Sequence, residues 1–488
     1  MAASVNNLER LMHKLITACV IAGLVFSGPA AAADAGQAQV LEQQISDMMA
    51  SLFGPQNRPV QLTPQGDRYQ INMPLEPFYE RLGIHITGLG NVTGTLAPID
   101  GGRWSIDNLA LPSPTHFVIE PVGSRPSGPL TVDLTMHELT SHNVIDPAFA
   151  TPWTLASSSS GLDMTIAGKD TNQVSHAGPF NVHALLTPID SDRLDLTEEF
   201  DLRGYDSVGK APDGGTVHTS IAHLGGRLHL DRLDRVRLSR AFTLVQDAKA
   251  RQTDGKAIPK PEMNALLHQV ILVLRDAAGG GGVAETIDDI AFDSASAAFR
   301  LAHFAVGIEA DAPAGRLGAR MNLVIDGPSS PAIPAAALAY LPSHISLRPF
   351  VFGIGLAELT QLALDATAPD PQPATDPSVL FAHGDLNAGV DQLELIVGET
   401  AIKGTGRMQA ASPDQVTGHA TLTARNFDAL VKTVQKDQVL GPQALPVLLL
   451  IRGLAKPDGD NLVWEIAYEG GAITVNGTDL SAITGAPK

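Results

Sequence analysis

"RLDLTEEFDLR", residues 193–203, alternates almost without a break. Leu194, Leu196, Phe200 and Leu202 fall on one side, and Arg193, Asp195, Thr197, Glu199, Asp201 and Arg203 on the other. Side chains two apart along an extended strand point the same way, so the stretch reads as a strand with one dry and one wet face. Glu198 is the exception, a carboxylate on the dry side between Leu196 and Phe200.

The same period recurs in "DRYQINMPL" (67–75), "GGRWSIDNLAL" (101–111), "PLTVDLTM" (129–136), "RLGARMNLVID" (316–326) and "DQLELIVGETAIKGTG" (391–406). "NLVWEIAYEGGAITVNG" (461–477) reads as a hairpin. Leu462, Trp464, Ile466 and Tyr468 run up to Gly470-Gly471, and Ile473 and Val475 return on the same face. Helical periodicity is confined to four stretches. Residues 38–53 align Leu41, Ile45, Met48, Met49 and Leu52; residues 261–277 align Met263, Leu266, Leu267, Val270, Ile271 and Leu274 behind Pro261. Residues 356–366 and 427–436 are the others, the last with Asn426 as its expected N-cap.

The expected fold is therefore mainly β with a few helices (α+β), built on a large antiparallel sheet that is curved or in two layers. Roughly 60 helical residues cannot cover the dry faces of so many strands. Two sheets must close on each other as a sandwich or barrel, or one curved sheet must leave an apolar trough. The run "GGGG" (279–282) and "APDPQPATDP" (368–377) are the expected flexible breaks, giving an N-terminal half over 34–278 and a C-terminal half over 283–488. On the trough reading the ligand-contacting residues are Leu194, Leu196, Phe200, Leu202, Leu228, Leu230, Trp464 and Ile466.

Composition narrows the function. The 488 residues carry 33 basic and 52 acidic side chains, a net charge of −19. Binding a phosphate backbone needs a basic stripe, so nucleic acid is not an expected partner. The overall charge also opposes docking on an anionic lipid surface by charge alone. Residues 1–33 read as a secretory leader: Arg10, His13 and Lys14, then "LITACVIAGLVF" (15–26), then a Gly-Pro break and "AAAAD". Cleavage is expected after Ala33 or Ala35, and Met12 can serve as the start in place of Met1. Loss of residues 1–33 leaves 31 basic against 51 acidic residues, a net charge of −20. Cys19, the sole cysteine, lies early in the apolar run, where a lipid-anchor cysteine would follow it. The mature chain then has no thiol chemistry, and an exported protein of this size without disulfides suits a bacterial periplasm.

No motif fixes a reaction. "TMHELTSHNVID" (135–146) brings His137, Glu138 and His142 together, but the second histidine comes at i+5 on an expected strand, against the i+4 helical spacing of a zinc peptidase. "VHTSIAHLGGRLHL" (217–230) holds His218, His223 and His229 around an expected Gly225-Gly226 hairpin turn. That turn places His223 with Ile221, Leu228 and Leu230 and sets the other two on the opposite face, so no metal site is expected. "FVFGIGLAEL" (350–359) lacks the third glycine of a dinucleotide loop, and 279–282 lacks the Lys-Ser/Thr of a P-loop. "ASSSSGLD" (156–163) lacks the glycine of a nucleophile elbow and reads as a loop. No cofactor is expected.

One resemblance emerges at "VTGHATLTARNFDALVKTVQ" (416–435), "LPSHISLRPFVFGIGLAELTQLAL" (341–364) and "GGAITVNGTDLSAI" (470–483). The chain resembles an uncharacterised group of exported alphaproteobacterial proteins, domain of unknown function 2125, and its C-terminal part, 335–485, is AsmA-like. The resemblance implies an apolar groove that holds acyl chains and assigns no catalytic residue. AsmA-like proteins usually keep an N-terminal membrane anchor, whereas here the leader is expected to be removed. The leading expectation is a non-enzymatic periplasmic protein that binds or shuttles a lipid or similar amphiphile. The second is an envelope structural module whose acidic wet faces meet a protein partner. The third is a hydrolase using Glu198 or the Asp288-Asp289 pair.

Overall fold

The computed structural model describes residues 33–480, apart from segments at 54–59, 82–83, 100–102, 121–127, 147–150, 170, 211–213, 252–258, 276, 296, 369–375, 382–385, 413 and 438–440. The expected leader, residues 1–33, falls outside the described residues but for Ala33. The protein is mainly β, 59 % strand and 22 % helical, and its strands pair antiparallel. It divides into two compact units, one chiefly Met1–Gly279, the other Gly280–Phe292, Ser296–Ala366 and Gln372–Lys488.

In the first unit the strands are β1 (Gln61–Gln65), β2 (Arg68–Pro74), β3 (His85–Thr87), β4 (Asn91–Pro98), β5 (Trp104–Ala110), β6 (Thr115–Glu120) and β7 (Leu130–His137). They continue with β8 (Thr140–Asp146), β9 (Thr151–Ser159), β10 (Gly161–Ala167), β11 (Asn172–Ala177), β12 (Phe180–Pro188), β13 (Arg193–Lys210) and β14 (Thr216–Asp234). Helices are α1 (Ala35–Phe53), α2 (Glu76–Arg81), α3 (Arg235–Arg251) and α4 (Lys260–Leu274).

The opening stretch lies in β13, and β13 sets the architecture. One edge of it pairs with β14 along its length. The other edge is shared. Leu194–Leu202 pair with β12, and Tyr205–Gly209 pair with β11. From β12 the ladder runs on through β9, β8, β5, β4, β2 and β1. From β11 it runs through β10, β7, β6 and β3. Two sheets thus grow from one strand. The fork is Gly204, with φ +67°, in the left-handed region that glycine enters without penalty. Gly178 fits beside it because a Cβ there would lie 2.4 Å from the Arg203 carbonyl oxygen.

Between these two layers the dry faces meet. Leu96, Ile106 and Ile145 from one sheet and Val132, Phe117 and Ile86 from the other are all within 1 % of complete burial, and Leu41 and Ile45 of α1 join the same cluster. The two arms of the sheet therefore pack face to face as a sandwich, the ladder itself staying open at β1 and β3. Its exposed β1 edge is capped: the Glu42 carboxylate accepts the Leu62 N–H at 2.6 Å.

Two sequence expectations fail here for physical reasons. Gly225-Gly226 is not a turn, since β14 runs unbroken through both residues, opposite Asp201 and Phe200. The glycines mark a close approach: a Cβ on Gly226 would lie 2.2 Å from Phe200 Cε1. Gly226→Val should lower stability by about 1–3 kcal/mol through overpacking, and Phe200→Leu should restore part of it in the double variant, read by urea unfolding. "ASSSSGLD" is not a loop either. Ser157 and Ser159 are buried in β9, and Ser159 Oγ donates to the His137 and Gly161 carbonyls at the corner where the chain changes layers. The α4 stripe also stays half open. No residue of that helix is buried, and Met263 and Leu267 are exposed.

In the second unit the strands are β15 (Gly280–Ser294), β16 (Ala298–Asp311), β17 (Arg316–Asp326), β18 (His344–Gly355), β19 (Leu386–Val397), β20 (Thr400–Ser412) and β21 (Gln415–Arg425). They end with β22 (Lys456–Asp458), β23 (Asn461–Glu469), β24 (Ala472–Val475) and β25 (Thr478–Asp479). Helices are α5 (Ala335–Leu338), α6 (Leu356–Ala366), α7 (Phe427–Lys436) and α8 (Gly441–Gly453). The boundary between the two units falls in the run 279–282, between Gly279 and Gly280, where β15 opens; residues 369–375 of the proline-rich stretch lie outside the described residues. From β16 to β21 each strand pairs with the next, and β21 then pairs with β23. This is a plain meander.

Two helices roof the β21–β24 flank. Phe427, Leu430 and Val431 of α7 and Leu448 of α8 pack on Ala424, Trp464 and Val475. Trp464 meets Phe427 edge-on at 5.6 Å between ring centroids, and its Nε1–H donates to the Ile451 carbonyl at 2.8 Å. Asn426 does not cap α7 with its side chain. It sits at φ 56° and its amide donates to the Glu399 carbonyl instead.

Candidate functional site: an unroofed apolar sheet face

Strand register assigns each side chain of the meander to a face. One row across the sheet is Phe304, Ile325, Ile345, Leu395 and Ile402, ending at Ala424 and Leu462. Two residues along, the next is Val306, Leu323, Leu347, Leu393, Gly404, Leu422 and Trp464. The same side continues with Ile308 and Met321, Pro349 and Val390, then Ala310, Ala319, Val351, Ala388 and Met408. Two apolar rows over seven strands and two more over four and five strands make a face roughly 20 Å along the strands and roughly 20–30 Å across.

Its burial differs from that of the sandwich. Leu96, Ile106, Val132 and Ile145 are 0 % exposed, whereas Ile308 and Met408 are 45 % and 49 % exposed. Leu323, Ile325, Ile345, Leu347, Leu393 and Leu395 are all half-buried. α7 also reaches β20, α6 packs against β18, and a short 3-10 turn, Pro377–Phe381, packs against β18 and β20, so among the described residues the dry side of β16 to β20 is partly covered. The rim is fixed by the connection between β17 and β18, whose Tyr340 hydroxyl donates to Asp437 at 3.0 Å and lies 3.3 Å from the Thr433 carbonyl of α7. Burial and the Asp437 carboxylate push the Tyr340 phenol above its ordinary value of 10.0.

The opposite, wet side carries fixed charge. A bulge in β19 brings Asp391 between Arg320 and Arg407, at 3.9 and 3.6 Å. Those guanidinium groups stack over Phe352 and Phe350, 4.9 and 5.7 Å from the ring centroids. Asp288, His303, Asp326 and His344 form a cross-strand row of alternating partners, with Asp288–His303 at 2.6 Å and Asp326–His344 at 2.5 Å. Asp288 is thus engaged by a histidine, and Asp289 sits at φ 53° in a kinked position of β15, exposed. Glu198 is half-buried, opposite Ala184 and Leu228.

Histidine–aspartate pairing recurs in the first unit at both histidine-rich stretches. His137 donates to Asp163 at 2.7 Å and His142 to Asp107 at 2.6 Å. Glu138, at φ 45°, turns the corner between β7 and β8, so the two histidines lie on different sheets of the sandwich. His218 pairs with Asp206 and His223 with Asp201, His223 facing away from Leu228 and Leu230 because the expected hairpin does not form. Among the described residues no three such side chains converge on a metal-sized site.

Asp163 serves both His176 and His137, and those two hydrogen bonds hold its carboxyl below the ordinary 3.8. A lowered folded-state pKa contributes stability above the unfolded value, and that contribution is lost as pH falls through the folded one. The difference in Tm between the wild-type chain and Asp163→Asn should therefore be largest near neutrality and close as pH drops below 3.8.

The structure distributes the sequence-predicted contact residues unevenly. Leu194 and Leu202 are 6 % and 5 % exposed, buried within the first unit. Leu196 and Phe200 are half-buried against Leu155, Val182 and Ala184, and Leu228 and Leu230 are half-buried on β14. Trp464 is 6 % exposed beneath α7 and α8, with Ile466 half-buried in the same cluster. The partly buried apolar rows are instead those of β16 to β20. Their alternation was visible in "RLGARMNLVID" and "DQLELIVGETAIKGTG"; where the roof ended was not. No protein-family model, curated protein or solved structure matches the chain. Among the described residues no helix is long and apolar enough to cross a membrane.

Proposed function

We propose that this chain is a non-enzymatic periplasmic protein that binds or shuttles a lipid or other long-chain amphiphile on the partly covered apolar face of its second unit. One observation carries the reading: the apolar rows of β16 to β20 are only partly buried, where Leu96, Ile106, Val132 and Ile145 of the first unit are 0 % exposed. An alkyl chain laid on such a face needs no directional partner, and each methylene hidden from water contributes about 0.8 kcal/mol. The expected leader and the resemblance of residues 335–485 to AsmA-like proteins support the same location and ligand class. Delipidated protein titrated with a fluorescent fatty acid should take it up saturably, with displacement by unlabelled fatty acid. Absence of saturable uptake removes the proposal. Mass spectrometry of an organic extract from gently purified protein then identifies the native occupant, while a co-purifying protein in its place favours an envelope interaction module.

A further inference from the structure

The paired ladder of the first unit has two open ends, and each is met by a helix. Among the described residues β1 pairs only with β2, and β3 only with β6. An edge strand turns the N–H and carbonyl of every second residue away from its partner, where a further strand can add. In β1 the outward residues are Leu62 and Pro64. The Glu42 carboxylate of α1 accepts the Leu62 N–H at 2.6 Å, and Pro64 has no N–H to give. At β3 the outward side runs through Ile84, Ile86 and Gly88. The Tyr79 carbonyl of α2 accepts the Ile84 N–H at 3.0 Å, and the Glu76 carboxylate accepts the Gly88 N–H at 2.7 Å. Ile86, between them, is 1 % exposed.

The two ends are built alike although their sequences differ. Each helix directly precedes the edge strand it meets, and each supplies one glutamate to that edge. Leu41 and Ile45 anchor α1 in the core at 2 % and 5 % exposure, and Tyr79 anchors α2 at 1 %. Apolar side chains thus hold the helices, and the carboxylates are left to act on the strand edges. We infer that Glu42 and Glu76 are guard residues that keep a second copy of this chain from adding a strand at either end of the ladder. A second copy is the occupant the geometry selects, because two identical edge strands can pair antiparallel across a two-fold axis. An incoming strand meets no available N–H along β1, and at β3 it must first break a charge-assisted hydrogen bond. None of these residues belongs to the apolar face of the second unit, so lipid uptake plays no part in the device.

Light scattering on the size-separated full chain tests the guard role. Glu42→Ala with Pro64→Thr and Glu76→Ala should raise the particle mass roughly twofold or more over the wild type at equal concentration. Glu42→Gln with Glu76→Gln keeps an amide oxygen that accepts the same N–H groups, and should leave the mass at the wild-type value. At high dilution, hydrogen exchange over 61–65 and 85–88 should quicken roughly tenfold in the alanine variant and stay slow over 130–137. Each glutamate is also changed singly to Ala, so that loss of the triple variant to unfolding leaves two folded chains for the same comparison. Alanine variants that keep a native circular-dichroism spectrum and the wild-type mass overturn the inference. So does association of the glutamine variant, since repulsion between carboxylates would then be what holds copies apart. Unchanged exchange over both stretches overturns it as well.

Discussion

Phe117→Ala should destabilise the first unit by about 3–5 kcal/mol, measured by denaturant unfolding, because it empties a sealed site. Phe117 is 1 % exposed and pairs across the sheet with Val132, which is 0 % exposed. The layers on both sides are pinned by the fork at Gly204 and by the corners at Glu138 and Ser159, so they cannot collapse to refill the space. Leu347→Ala in the second unit removes similar apolar volume from a half-buried position and should cost only about 1–2 kcal/mol, since part of the side chain is already in water. Equal costs at the two sites would mean that the second face is as sealed as the first.

Leu323→Asp with Leu347→Asp should abolish saturable fatty-acid uptake while leaving the fold intact. The two residues are direct cross-strand neighbours in the middle of the partly covered face. An ionised carboxylate opposite an alkyl chain must be desolvated on binding, and two of them outweigh what the neighbouring methylenes contribute. The same pair changed to Ala should weaken uptake only severalfold, because the face remains apolar. Persisting uptake in the aspartate variant would place the ligand elsewhere.

Much of the architecture was legible along the chain because strand period is a local property. The β23–β24 hairpin forms about Gly470-Gly471 with Glu469 opposite Ala472. Helices were legible where apolar residues are striped, as in α7. α3 escaped because its apolar residues are scattered, with Val236 and Val245 left exposed. α8 escaped because Pro442, Pro446 and Gly453 read as breakers around an apolar run with no period. Gly225-Gly226 misled because a glycine pair marks a turn and a close packing contact with the same letters. Only the ring of Phe200, distant in sequence, distinguishes them.

By itself the sequence determined the mainly β class, the two-faced strands and the acidic wet sides, since each follows from residue order over a few positions. Tertiary structure alone decided which dry faces were sealed. Sealing depends on β13 exchanging β12 for β11 at Gly204, and on how far α7 and α8 reach across the meander. Both are long-range pairings. The alternation of "RLDLTEEFDLR" is the same whether a second sheet or a ligand lies above it.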